Sequence, residues 1–263
     1  MIYRIEKEPY SWAKENNLIA HAFGGISGTT YTNSLDAFKF NYSNGFKIFE
    51  VDLVLSSDDH LVLKHDWSSL VSQMLKQEIS ADKQDKALSL SEFKTMKIHG
   101  WMEPLSFEDV IEIMDKDKDI YIVTDTKDIP TDELFGQIVE LVSKYDINIL
   151  KRIIPQIYNE EMYYQIKEIY NFDSYIYTLY QTSSGDDEVI SFMKENNLKV
   201  VTAPTFRMTE EFASKLNENN IYIYVHTINA APEIKFFKNI GVYGFYTDFI
   251  TPKYYESILK DIE

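Results

Sequence analysis

Between His21 and Asp66 the chain carries two histidines and a closely spaced carboxylate pair, in the order LIAH, KIFEVDL and HLVLKHD. Glu50 and Asp52 sit two apart in the apolar run KIFEVDL. Side chains two apart on a strand share a face, so both carboxylates point the same way. Like charges held together need a cation or a proton between them. Oxygen ligands favour a hard ion such as Mg²⁺ or Ca²⁺, with Mn²⁺ a further candidate. Asp125, in IVTDTK, offers a third carboxylate, and Lys127 beside it is a point charge suited to a phosphate oxygen. His21 follows LIA and His65 follows LVLK, each at a predicted strand end. Two imidazoles and a carboxylate cluster are the parts for metal-assisted, acid–base cleavage of a phosphate ester. His60, in a turn, and His99, in a polar stretch, are expected to face solvent, and His226 to line the pocket wall. The chain has no GxSxG elbow and no cysteine, which excludes thiolate nucleophiles, disulfides and cysteine–zinc sites. GGISG (24–28) matches neither a dinucleotide nor a Walker loop and is read as a plain flexible loop.

The elements that must position these residues alternate. Short β-rich runs fall at 18–21, 47–53, 119–125, 152–158, 175–180, 198–203, 221–227 and 244–249. Helical spacing fills 34–44, 106–116, 131–145, 160–170, 186–197, 209–220 and 231–240. Ser34 reads as an N-cap with Gly45 as the stop, and Ser106 with Asp109 as a capping box. Such alternation implies a mostly parallel sheet. The run HLVLKHD (60–66) follows KIFEVDL too closely for a parallel crossover, which takes about a dozen residues or more. It must return antiparallel as a hairpin, which would carry His65 to the mouth. Without it the strand count is that of a (β/α)₈ TIM barrel, an α/β fold, whose active site sits at the C-terminal ends of the strands. The expected organisation is one domain over 1–263 with the hairpin and a small excursion, roughly 54–104, inserted after the second strand.

The 44% hydrophobic residues suffice for a large core, and the net charge of −16 argues against nucleic acid or an anionic membrane as partner. A small-molecule phosphodiester remains compatible, since one divalent cation reverses the local sign. No run approaches the roughly 18 apolar residues of a membrane span, so stable membrane insertion is not expected. The polar start MIYRIEKEPYSWAKENN resembles no signal peptide, and a cytoplasmic protein is expected. The oligomeric state is not legible.

In order along nearly the whole chain, His21, TNSLDAF (32–38), GFKIFEVD (45–52), LVLKHD (61–66), EPLSFEDVI (103–111), VTDTK (123–127), IIPQIY (153–158), VHTIN (225–229) and GVYGFYTD (241–248) resemble the glycerophosphodiester phosphodiesterase family. The resemblance implies a TIM barrel hydrolysing glycerophosphodiesters to glycerol phosphate and an alcohol. It implies His21 and His65 as the acid–base pair, with the two roles unassigned. Glu50, Asp52 and Asp125 are then ligands of a divalent cation, and Lys127 a phosphate contact. Gln156, in the IIPQIY segment, joins His226 as a pocket candidate. The sequence departs from the family at Ala22, where an arginine is usual, at Thr32, where a glutamate is usual, and at His226, where a tryptophan is usual. Arg207 is a candidate replacement for the missing guanidinium. The alternatives are a metal-independent phosphatidylinositol-type phospholipase C, a more distant sphingomyelinase-D-like activity, and a non-catalytic barrel that binds a phosphorylated ligand. Lipid-derived diesters and glycerol-phosphate polysaccharide both remain open as substrates.

Overall fold

Residues 8–126 and 129–261 are described in the structure, a computed structural model. Among them nine strands form one sheet: β1 (Leu18–Ala20), β2 (Ile48–Leu55), β3 (Leu61–Leu63), β4 (Tyr121–Asp125), β5 (Ile153–Ile157), β6 (Ile176–Thr178), β7 (Val200–Pro204), β8 (Tyr222–His226) and β9 (Gly244–Thr247). All neighbours but one run parallel, and β1 pairs with both β9 and β2, which closes the sheet. The result is an eight-stranded parallel barrel with helices between strands and β3 as an extra antiparallel strand on β2, in the register Leu53↔Leu63. This is the expected TIM barrel with its inserted hairpin.

The interior is layered by the two-residue strand period. Ile19, Ile48, Val123, Ile154, Ile176, Val200, Tyr224 and Tyr246 pack together inside the barrel. Trp12 and Ala13 of the short helix α1 (Ser11–Glu15) join them and close the N-terminal end, with Trp12 Nε1 donating to Ser174 Oγ at 2.9 Å. Two residues further along each strand, the side chains facing the same way are His21, Glu50, Asp125, Gln156, Thr178, Thr202, His226 and Asp248. The apolar layer is thus the floor of a polar one. The intervening Phe49, Val51 and Leu53 of β2 pack outward against the helices, as the alternation requires.

The helical layer comprises α2 (Leu35–Ser43), α5 (Phe107–Lys116), α6 (Thr131–Ser143), α7 (Glu160–Ile169), α8 (Asp186–Glu195), α9 (Glu210–Glu218), α10 (Ala231–Asn239) and α11 (Pro252–Lys260), after the two short insert helices α3 (Ser69–Met74) and α4 (Leu90–Thr95). Ser34 Oγ caps α2 by accepting from Ala37 N at 3.1 Å, and Ser106 and Asp109 form the expected capping box on α5. The last helix, α11, was not expected. Its Thr251 N-cap and Pro252 start are ordinary helix signals, but it follows the final strand, where no further strand demands a crossover.

The excursion is more regular than its polar sequence suggests. Phe93 of α4 is buried with Val54 and Val62, edge-on to Trp67 at 5.8 Å. Lys64 Nζ donates to Gln77 Oε1 at 2.9 Å, and Gln77 Nε2 to Met96 O at 3.0 Å, tying hairpin and excursion together. Burying a side chain the size of Phe93 contributes about 2–3 kcal/mol, enough to dock so short a helix. Among the described residues no helix is long and apolar enough to cross a membrane.

Candidate active site

The polar layer opens at the C-terminal mouth of the barrel. Asp52 and Asp125 are register partners across β2 and β4, and Glu50 lies one inward step below Asp52. Oxygens of Glu50, Asp52 and Asp125 all fall within 4.8 Å of one another. Glu50 and Asp52 are buried, at 2% and 4% exposure. Glu50 Oε2 accepts from Ala22 N at 2.7 Å, whereas Glu50 Oε1 is buried with no partner among the described residues. Burial, then the charge of Asp52, push the Glu50 carboxyl well above its usual range, against the opposing pull of His21. A buried, orphaned carboxylate oxygen facing two more carboxylates is a donor set short of positive charge, and an oxygen-ligated divalent cation fits it.

His21 stands on one flank. Its Nδ1 donates to Asp248 Oδ1 at 2.9 Å. Asn229 fixes that carboxylate, donating through Nδ2 to Asp248 Oδ2 at 2.7 Å while its Oδ1 accepts from Asp248 N at 2.8 Å. Burial alone would strip the proton from His21. The Asp248 hydrogen bond and the charges of Glu50, Asp248 and Asp52 outweigh it and raise the imidazole from 6.5 to about 9. Just after His21 the backbone enters the left-handed region twice, at Ala22 (φ 49) and Phe23 (φ 66), which turns the Ala22 amide onto Glu50.

His65 stands on the other flank, at the end of the hairpin. Its Nδ1 donates to Asp66 Oδ2 at 2.8 Å, and Asp66 Oδ1 accepts from Ser68 N at 2.7 Å. Burial of Asp66 opposes its ionisation, but Ser68 and His65 more than compensate and hold its carboxyl below the usual range. The ring of Tyr31 lies between the two imidazoles, edge-on to His21 at 4.7 Å and to His65 at 5.5 Å.

The sequence candidates fare unequally. Gln156 Nε2 reaches Asp125 Oδ1 at 3.2 Å, and its Oε1 accepts from Tyr246 OH at 2.9 Å. His226 lies 3.0 Å from Thr202 Oγ1 and rings with Tyr180 and Tyr246, so it forms part of the mouth wall. Arg207 is turned elsewhere. Its guanidinium donates to Ser184 O at 2.6 Å and Thr182 O at 3.4 Å, and its Nη2 is 3.9 Å from Asp186. Its two terminal nitrogens are thus engaged by carbonyls of the β6–α8 loop. Lys127 lies outside the described residues. His60 is exposed and His99 half-buried.

Several residues escaped the sequence reading. Asn33 clamps Asp52, donating through Nδ2 to Oδ2 at 2.8 Å and accepting from Asp52 N at 3.1 Å. Asp248 and Asn229 lie inside quoted motifs, but nothing local paired them with His21. Tyr31 carried no signal beyond being an aromatic residue in a polar loop. The GGISG stretch is not a plain flexible loop. Ser27 and Gly28, both left-handed, close a tight turn in which Ile26 and Thr29 exchange hydrogen bonds of 3.0 and 2.9 Å. Gly25 N donates to Asp248 O at 2.7 Å, and a Cβ at Gly25 would meet the Phe249 ring at 2.3 Å.

Residues 25–251 match the glycerophosphoryl diester phosphodiesterase family. The chain belongs to that family. It is accordingly a phosphodiester hydrolase by descent, and solved structures agree on the fold. A phosphodiesterase from Oleispira antarctica, solved in complex with the product sn-glycerol-3-phosphate, is similar at a TM-score of 0.74 and 16% identity, covering 97% of this chain and 100% of that one. A glycerophosphodiester phosphodiesterase from Parabacteroides distasonis gives 0.71 and 14%, over 94% and 98%. One from Thermotoga maritima gives 0.66 and 19%, over 93% and 97%. None of the curated proteins matches this sequence.

Proposed function

We propose that this family member hydrolyses glycerophosphodiesters to glycerol phosphate and an alcohol, with Glu50, Asp52 and Asp125 holding a divalent cation and His21 and His65 moving the protons. The observation that carries the reading is the buried three-carboxylate group with an orphaned Glu50 oxygen, flanked by two imidazoles that share Tyr31 as a neighbour. When bound, the cation would polarise a phosphoryl oxygen and offset the charge that builds on it.

The protein's own groups account for the rest. Asp248 and Asp66 engage Nδ1 of their histidines, which orients each ring and leaves Nε2 for the reaction. One Nε2 takes a proton from the nucleophile, a water or a neighbouring substrate hydroxyl. The other gives a proton to the leaving alkoxide oxygen, so acid and base act in one displacement at phosphorus. Lys127 supplies a positive charge to a non-bridging oxygen. Gln156 steadies Asp125, and His226 with Tyr180 forms a wall against which the alcohol portion packs. The Oleispira antarctica complex supports glycerol phosphate as the retained half of the substrate.

The test is turnover of a panel of glycerophosphodiesters and bis-nitrophenyl phosphate with added Mg²⁺, Ca²⁺ or Mn²⁺, and again after exhaustive EDTA. Cation-dependent release of glycerol phosphate is expected. Full activity after EDTA would remove the cation from the reading, and no turnover of any diester alongside tight phosphate binding would make the barrel a binding protein.

A further inference from the structure

Among the described residues the mouth carries four buried or half-buried carboxylates, from Glu50, Asp52, Asp125 and Asp248. Ala22 brings only a methyl group, and Arg207 is spent on its loop. Tyr31 is different. Among the described residues its hydroxyl makes no hydrogen bond, although the ring is half-buried at the centre of the site. A half-buried tyrosine presents an apolar body and a polar tip that a ligand can meet.

Its backbone is held in a costly shape. Tyr31 has φ 58, in the left-handed region, which a bulky side chain rarely adopts. The chain on either side permits no escape. Upstream, the Ile26–Thr29 turn is closed by its paired hydrogen bonds. Downstream, Thr32, Asn33 and Ser34 are fully buried, Asn33 N donates to Ala22 O at 3.3 Å, and the Asn33 side chain is locked on Asp52. Other turns of the chain, at Asp59, Lys76 and His99, also hold non-glycine residues in this region, so what sets Tyr31 apart is that its anchored backbone lies beside the two histidines. The anchoring aims the ring between the imidazoles, nearly perpendicular to both at 82° and 84°. A phosphoryl group in reach of both Nε2 atoms must pass beside that ring. Burial and then the Asp248, Asp52, Glu50 and Asp125 charges raise the phenol to about 12, so it stays a donor.

We propose that Tyr31 is a substrate-contacting catalytic residue: its hydroxyl donates a hydrogen bond to a non-bridging phosphoryl oxygen of the diester, while its ring spaces the two imidazoles. The proposal rests on the phosphodiesterase reading above for its substrate.

The decisive comparison is Tyr31→Phe, which keeps the ring and the spacing and removes only the donor, against Tyr31→Leu, which removes both. With folding checked by circular dichroism and thermal melting, Tyr31→Phe should lower kcat/KM on bis-nitrophenyl phosphate about 10- to 100-fold, the worth of a hydrogen bond to a charged group, with the loss shared between KM and kcat. Tyr31→Leu should lose more. Calorimetric titration with inorganic phosphate, read without turnover, should show affinity weakened about tenfold in Tyr31→Phe. Kinetics within twofold of wild type in Tyr31→Phe would overturn the proposal, whatever Tyr31→Leu does. Should the wild type hydrolyse no diester, the phosphodiesterase reading fails on its own account. The phosphate titration then still decides, since unchanged affinity in Tyr31→Phe overturns the donor role and weakened affinity supports it.

Discussion

The two histidine flanks use the same device built in two ways. On the His65 side the carboxylate partner is the next residue, the pair sits on a hairpin added to the barrel, and the two side chains are 28% and 33% exposed. On the His21 side the partner is Asp248, 227 residues away at the end of the last barrel strand, and the side chains are 14% and 8% exposed. Asn229 locks the second pair into the barrel backbone, whereas among the described residues Asp66 makes its hydrogen bonds to its neighbours His65 and Ser68. Barrel closure therefore determines one orientation, and a local turn the other. The lesson is that a low-dielectric, doubly anchored pair is expensive to lose, while a wet local one is partly replaced by water.

The largest effects test whether both flanks act in one reaction. His21→Ala and His65→Ala should each cut kcat by about 10²- to 10⁴-fold with the fold intact, the range for loss of a positioned proton carrier. Steady-state kinetics with a thermal melt on each variant checks this. Near-normal turnover in either one would reduce the two-imidazole reading to a single flank.

Next come the partners, where the contrast itself is at stake. Asp248→Asn should cost on the order of 10²-fold or more in kcat, as when a buried carboxylate that orients an imidazole is neutralised, and Asp66→Asn about tenfold. Equal losses would erase the distinction between buried and local pairing.

A smaller effect appears in stability rather than rate. In the cation-free protein the folded pKa of His21, about 9, lies above its ordinary 6.5. Its contribution is then fully present below about pH 6.5 and is lost as pH rises through about 9. The shift corresponds to about 3 kcal/mol. Urea melts at about pH 6 and about pH 9.5 should show this loss in the wild type and little of it in Asp248→Asn. The same slope in both proteins would mean that Asp248 does not hold the proton on His21.

A shift of similar size and opposite sign falls on the hairpin side, without an effect on rate. Lys64, beside His65, is buried on Gln77, and burial, opposed only by Asp66, holds its amine down to about 8. The sign is the reverse of that for His21. A folded pKa below the ordinary 10.5 makes the charged form a burden, so stability should rise between about pH 8 and about pH 10.5. Lys64→Met should remove that rise and leave kcat within about twofold, because Lys64 contacts the excursion and not the site. An unchanged rise would show that Lys64 is hydrated.

Much of the fold was legible because the barrel strands and helices repeat local physics. The eight barrel runs, the capping box at Ser106–Asp109 and the short link that forces LVL back onto β2 are read from periods, caps and loop lengths. The carboxylate triad was legible for the same reason, since Glu50 and Asp52 share a face by the strand period and Asp125 ends the neighbouring strand. The helix α11 and the ordered excursion were not, because polar segments dock through single residues such as Phe93 whose partners lie far off in sequence. The contacts of Arg207 were not legible because a side chain that long follows whichever carbonyls are nearest, and those belong to another loop.

By itself the sequence determined the alternation that puts an apolar floor under a polar layer, the His65–Asp66 neighbourhood, and the membership of the family, because these depend on residues within a few positions of one another or on their order. Folding put Asn229 on Asp248 and Asp248 on His21, Asn33 on Asp52, and Tyr31 between the histidines. The physical reason is closure. Pairing β1 with both β9 and β2 brings the two ends of the chain together, and no local period encodes which side chains then meet across the mouth.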